Sequence, residues 1–207
     1  MKKLPLAAGA LVALLGLVGT APLALSQVAS QDPQSVKSGA YKVEPYHTQV
    51  GFSVSHFGFT EFSGLFSGAS GTLRLDPANL TDSKLDVSIP VQSVTTTVSK
   101  LDDELKGPQW LDSAQFPAAT FTSTKITPTG RGGATIAGDL TLHGVTKPIT
   151  LEAHLVGAGV NPLDKAVTVG FEATGTIKRS EFGVKTYVPL VGDDVRLTIA
   201  GAFELQP

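Results

Sequence analysis

The chain contains no cysteine among its 207 residues. That excludes a disulfide framework, a thiol nucleophile and a lipid-modified N-terminal cysteine, so any fold must be held by its own core. Runs of Lys or Arg are also lacking: 16 basic residues are scattered against 18 acidic ones, for a formal charge of −2. A chain without a basic stripe is not built to grip nucleic acid or an anionic membrane surface. G-x-S-x-G, H-E-x-x-H, Walker and dinucleotide fingerprints are all missing. None of the four histidines (His47, His56, His143, His154) stands two or four residues from another, so strand-spaced metal ligation is not signalled.

One long apolar run is present, and it is N-terminal. Lys2 and Lys3 precede an uncharged stretch from Leu4 to Val18, followed by the small-residue site Ala24-Leu25-Ser26. This is the pattern of a cleavable secretory signal peptide over residues 1–26, with cleavage before Gln27. A second small-residue site, Val28-Ala29-Ser30, lies just beyond. The run is shorter than the roughly 20 residues that span a bilayer, which sets the alternative of a membrane anchor behind an export signal. The exported chain would carry a charge of about −4 once Lys2 and Lys3 are gone, and it places the protein in the periplasm or outside the cell.

Residues 27–39 are polar and Ser/Gln-rich and read as a flexible lead-in to one domain over 40–207. Within it, apolar and polar residues alternate with period two. Leu85/Val87/Ile89/Val91, Ile149/Leu151/Ala153/Leu155, Val167/Val169/Phe171 and Val195/Leu197/Ile199 are the clearest cases. Each describes a strand with one buried and one wet face. About eight strands are expected, near 48–55, 62–75, 84–93, 118–128, 133–142, 147–158, 166–178 and 194–205, separated by Asp/Asn/Gly/Pro turns. Val98, Leu101 and Leu105 are spaced for a short helix over 98–106, between the third and fourth strands and stopped by Gly107-Pro108. Eight amphipathic antiparallel strands can close into a barrel or split into a sandwich. Small residues on the inward faces, Ala153, Ala173, Gly175 and Gly201, leave volume inside.

Asp102-Asp103-Glu104 could supply an acid–base pair, but on a short amphipathic helix such a run is the solvated face near the helix N-terminus. Phe57 and Phe59 flank Gly58 in an expected turn, and Trp110 and Phe116 follow the helix. These rings either dock the helix on the sheet or wall a pocket. The histidines read as hydrogen-bonding residues at rims and turns, with a metal or proton-transfer site, which would need His47, His56 and His143 to converge, as the alternative.

Six segments follow one another along the domain: Tyr41-Lys42-Val43-Glu44 with His47-Thr48, Val50 to Gly58 (VGFSVSHFG), Ser63 to Phe66 (SGLF), Phe116 to Phe121 (FPAATF), Gly138 to Pro148 (GDLTLHGVTKP) and Lys178 to Gly183 (KRSEFG). In their order and spacing they resemble the YceI-like family of periplasmic lipid- and polyisoprenoid-binding proteins. The resemblance implies an all-β, eight-stranded antiparallel, lipocalin-like barrel around a long apolar cavity. It implies a binding or carrier protein with no cofactor and no metal, whose partner is an isoprenoid-type lipid or quinone. Transient contact with a membrane or membrane protein would load it, and a homodimer is compatible with this role. The ligand would meet Phe52, Val54, Leu85, Val87 and Ile89 early in the barrel. Further on it would meet Phe121, Leu140, Leu142, Ile149, Leu151 and Ala153. The last strands would add Val169, Phe171, Ala173, Leu197 and Ile199, while Phe57, Leu101, Leu105, Trp110 and Phe182 would come from turns and the helix. No Lys or Arg falls on the alternating inward faces, which favours a neutral ligand over a fatty acid held by its head. Two rivals stand beside this reading: an enzyme using the same barrel with a histidine as acid–base group, and a solid structural barrel that binds nothing.

Overall fold

The computed structural model describes residues 28–207; the expected signal peptide and its cleavage site lie outside the described residues. Ten strands are present among the described residues. They are β1 (Gly39–Val43), β2 (Gln49–His56), β3 (Thr60–Phe66), β4 (Ser70–Leu75) and β5 (Lys84–Pro90), then β6 (Ala118–Gly130), β7 (Gly133–Leu142), β8 (Val145–Val160), β9 (Val167–Lys178) and β10 (Val191–Leu205). One helix, α1 (Ser99–Lys106), lies between β5 and β6.

Every neighbouring pair is antiparallel, and the pairing closes on itself. β4 to β10 follow one another in chain order, and β10 returns to β1, which pairs with β4. The remaining two strands extend the first two. β10 is long enough to hold β1 at its C-terminal end (Val43 opposite Phe203) and β2 further back (Phe52 opposite Leu197). β3 likewise extends β4 along β2. β1/β2 and β3/β4 are therefore two bent staves, and the barrel has eight staves in up-and-down order.

Both bends have local causes. Pro45 cannot donate to the ladder, and the Glu44 carboxylate accepts the N–H groups of Tyr46 and His47 instead. Thr48 then resumes contact with β10, its hydroxyl donating to the Ala202 carbonyl and accepting from the Ala202 N–H. In the second stave Gly68 takes φ +68°, a conformation that side chains other than glycine's resist. The expected run over 62–75 is for this reason two strands, and the expected strand at 48–55 has an unforeseen partner, β1, before it. The lead-in meets the barrel at Ser30, which exchanges two backbone hydrogen bonds with Ala158.

Apolar side chains close both ends. At one end Tyr41, Val43, Leu73, Leu75, Val169 and Phe203 pack together, and the buried Tyr41 hydroxyl donates to the Lys37 carbonyl at 2.7 Å. Side chains of this size contribute about 1.5–3 kcal/mol each when fully buried. At the other end Trp110, Val184 and Val191 form the plug, with Leu105 of α1 packed against them. The acidic residues of α1 have structural work here. Asp102 accepts from the Thr96 N–H and from both threonine hydroxyls at 95 and 96, tying down the loop before the helix. The Thr96 hydroxyl is the main reason its carboxyl is held below the ordinary aspartate range. Glu104 accepts from the Trp110 indole N–H at 3.2 Å and so fixes the ring.

A two-chamber apolar cavity

Between the plugs the barrel is hollow. Two chambers of about 170 and about 160 Å³ lie end to end. The first runs inward from Trp110, Leu105 and Val184; the second reaches Leu73, Leu75 and Phe203 at the Tyr41 end. Val50, Ile89, Phe121, Leu151 and Ile199 border both and form the waist. Each chamber far exceeds the roughly 10–15 Å³ that one water needs, but a water also needs two to four polar partners. The first chamber offers one polar side chain, Arg179, and the second offers Thr48 and Ser83. The Thr48 hydroxyl is engaged with Ala202, and the Ser83 oxygen accepts the Asp76 N–H. Such a space suits hydrocarbon, not water.

Small residues create the volume. Ala134, Ala153 and Ala173 stand side by side across β7, β8 and β9 and all face the second chamber. Glycine lets the aromatic walls lie flat: a Cβ at Gly64 would strike the Phe52 ring, and one at Gly138 would strike the Phe121 ring. Gly201 also borders the second chamber, whereas Gly175 does not. A Cβ at Gly175 would come within 2.7 Å of Leu151 Cδ2, so this glycine makes room for Leu151 itself.

Most of the residues expected from alternation border a chamber: Phe52, Val54, Leu140, Leu142, Ile149 and Leu197 the first, and Leu85, Val87, Ala153, Phe171 and Ala173 the second. Ile89, Phe121, Leu151 and Ile199 stand at the waist, and Leu105 and Trp110 at the plug. Four do not border the cavity. Phe57 occupies the β2–β3 turn with φ +53°, is 44% exposed, and packs edge-on against His56. Leu101 sits one turn before Leu105 on α1 and falls outside the lining. Val169 has the right parity but lies beyond the chamber, 1% exposed in the terminal plug. Phe182 is equally buried, in the 3-10 turn Arg179–Phe182 that follows β9, where its carbonyl meets His143 Nδ1 at 3.1 Å.

The expectation of a cavity without cations also needs correction. Arg179 is 5% exposed and forms part of the first chamber's wall. It escaped the alternation because it stands in a turn, although it belongs to the Lys178–Gly183 segment that carries the family resemblance. Its Nε, Nη1 and Nη2 donate to the carbonyls of Gly192, Val184 and Val191 at 2.8–3.0 Å, and its guanidinium lies 5.3 Å from the Trp110 ring centre. Burial pushes its pKa down, with the charge of Asp193 opposing. Asp193 is occupied elsewhere, accepting the Ser180 N–H and hydroxyl. Burial works against its charged form too, but these bonds and the charges of Lys178 and Arg179 keep its carboxyl below the usual range.

The histidines stay outside. His47 pairs with Glu44 at 2.7 Å with its side chain 82% exposed, and His154 meets Glu172 on the outer face. His143 stands at the β7–β8 turn against Phe116, and none of the four borders a chamber. Among the described residues no group of three His, Asp or Glu is placed to hold a metal ion.

Comparison with known proteins agrees with this architecture. Residues 41–203 match the model of the YceI-like domain. The chain is 39% identical over 168 residues to Protein YceI of Escherichia coli O17:K52:H18, covering 80% of this chain and 87% of that one. It is 36% identical over 171 residues to a UPF0312 protein of Pseudomonas fluorescens, covering 80% and 83%. Among solved structures, BcnA of Burkholderia cenocepacia superposes with a TM-score of 0.70 at 25% identity, over 77% of this chain and 98% of that one. A polyisoprenoid binding domain from Saccharophagus degradans shares the fold with a TM-score of 0.59 at 14% identity, over 82% and 100%. The chain belongs to the YceI-like family.

Proposed function

We propose that this protein is an exported, non-enzymatic carrier that holds one long isoprenoid-type lipid, a polyprenyl chain or prenylated quinone, along the two chambers. The observation that carries the reading is the continuity of the apolar lining from Trp110 through the waist to Phe203. A void of this size, shaped by a row of alanines, forfeits packing that a solid barrel would have. Hydrocarbon restores it. The named activity of the Saccharophagus domain, which shares only the fold, is consistent with the same use. At about 0.3 kcal/mol per heavy atom, a ligand of roughly 40 carbons gains about 12 kcal/mol, which is nanomolar binding. The enzyme reading required an imidazole in the cavity, and the histidines lie outside it. The N-terminal leader supports export, and loading would take place by transient contact with a membrane.

Delipidated protein titrated with a prenylated quinone should quench the fluorescence of Trp110, the single tryptophan, and saturate at one equivalent. Absence of saturable uptake would leave the solid-barrel reading in its place.

A further inference from the structure

We infer that the carrier selects lipids bearing an electron-rich oxygen head and binds them head-first toward Arg179, with the tail passing the waist into the second chamber. The inference rests on the carrier reading and adds polarity and direction to it.

The two ends of the cavity differ in one respect that matters for a ligand. At the Tyr41 end the polar lining groups, Thr48 and Ser83, are engaged by backbone. At the Trp110 end stands a buried cation. Three protein carbonyls take three of the five N–H groups of Arg179. Two N–H groups remain on a guanidinium that forms cavity wall. No carboxylate among the described residues lies within ion-pair distance of it. The carbonyls satisfy geometry but carry no net charge, and the nearest counter-charge, Asp193, acts from beyond ion-pair distance with its oxygens bonded to Ser180, so the burial of the guanidinium is only partly compensated. A carbonyl, phenol or phosphate oxygen would relieve that cost, because hydrogen bonds to a charged donor are the strong ones and a guanidinium presents them in a fixed fork. Leu105, Leu111, Val184 and Val191 around it keep the site dry.

Immobilisation makes the site a built one. The guanidinium lies over the Trp110 ring, Glu104 holds the indole, and the Thr186 hydroxyl donates to the Gln109 carbonyl beside it. The head group would therefore come to rest against the single tryptophan, which reports its arrival.

The test uses the delipidated full-length exported protein and a matched twenty-carbon series: the hydrocarbon phytane, geranylgeraniol, geranylgeranyl phosphate and a quinone with a geranylgeranyl tail. The oxygen-headed lipids should bind roughly 10- to 100-fold tighter than phytane, and the quinone should quench Trp110 where phytane does not. The phosphate and quinone arms separate anionic from neutral heads. Arg179→Met should bring the four affinities within about threefold of one another; a merely structural arginine would lower thermal stability without changing their order. Should Arg179→Met fail to fold, the wild-type series and the quenching decide alone. Equal, saturable binding of all four, or a quinone that leaves Trp110 bright, overturns the head-first inference and spares the carrier. Failure of all four to saturate overturns both.

Discussion

Ala153→Phe is expected to leave the barrel folded and to reduce lipid retention at least about tenfold. Ala153 stands between Ala134 and Ala173 on the wall of a chamber of about 160 Å³, so the new ring enters space that a ligand would otherwise fill. In a close-packed core the same change costs about 1–3 kcal/mol through overpacking. Here the buried ring contributes apolar area of its own at about 25 cal/mol per Å², which offsets any strain. The melting temperature should hold within a few degrees while lipid recovered with the protein falls. A large drop in melting temperature with unchanged lipid content would show that the chamber is not the ligand's space. Gly175 is no substitute for this position, since a side chain there collides with Leu151 before it reaches the cavity.

Phe182→Ala should do the reverse. Its ring is 1% exposed and borders neither chamber, so its removal leaves a hole in the packing behind the β9 turn. Emptying a buried phenylalanine site costs about 3–5 kcal/mol. In a domain of this size that corresponds to a fall of roughly 10 °C in melting temperature. Well below the new transition, the folded fraction should still carry lipid at wild-type stoichiometry. Lost binding at unchanged stability would place Phe182 in the site after all. Chemical denaturation and lipid content of the same preparation separate the two outcomes.

The contrast between these residues shows what alternation can and cannot read. Leu197 and Ile199 were legible as inward because Arg196 and Thr198 between them are exposed, and a period of two has no other meaning in an antiparallel barrel. Parity does not report depth. Val169, Phe171 and Ala173 share one face of β9, but the last two line the chamber while Val169 fills the plug. The stave count followed from the number of alternating runs between turn signals, whereas the break of the first stave at Pro45 came from a ladder bond that proline cannot make. The chamber's far end was out of reach for another reason. Arg179, Val184 and Leu111 come from turns and loops with no periodicity, and only the folded chain brings them onto Trp110. The helix was legible, but of its two apolar residues only Leu105 meets the plug, because the barrel end decides which turn it touches.

Native mass spectrometry of the protein expressed from the full chain, taken before any delipidation, tests the central claim most directly. The account predicts the mass of a chain beginning at Gln27 plus one isoprenoid-type lipid, released intact on collisional activation. A bare chain, with nothing apolar in its organic extract and no uptake on reloading, would contradict it.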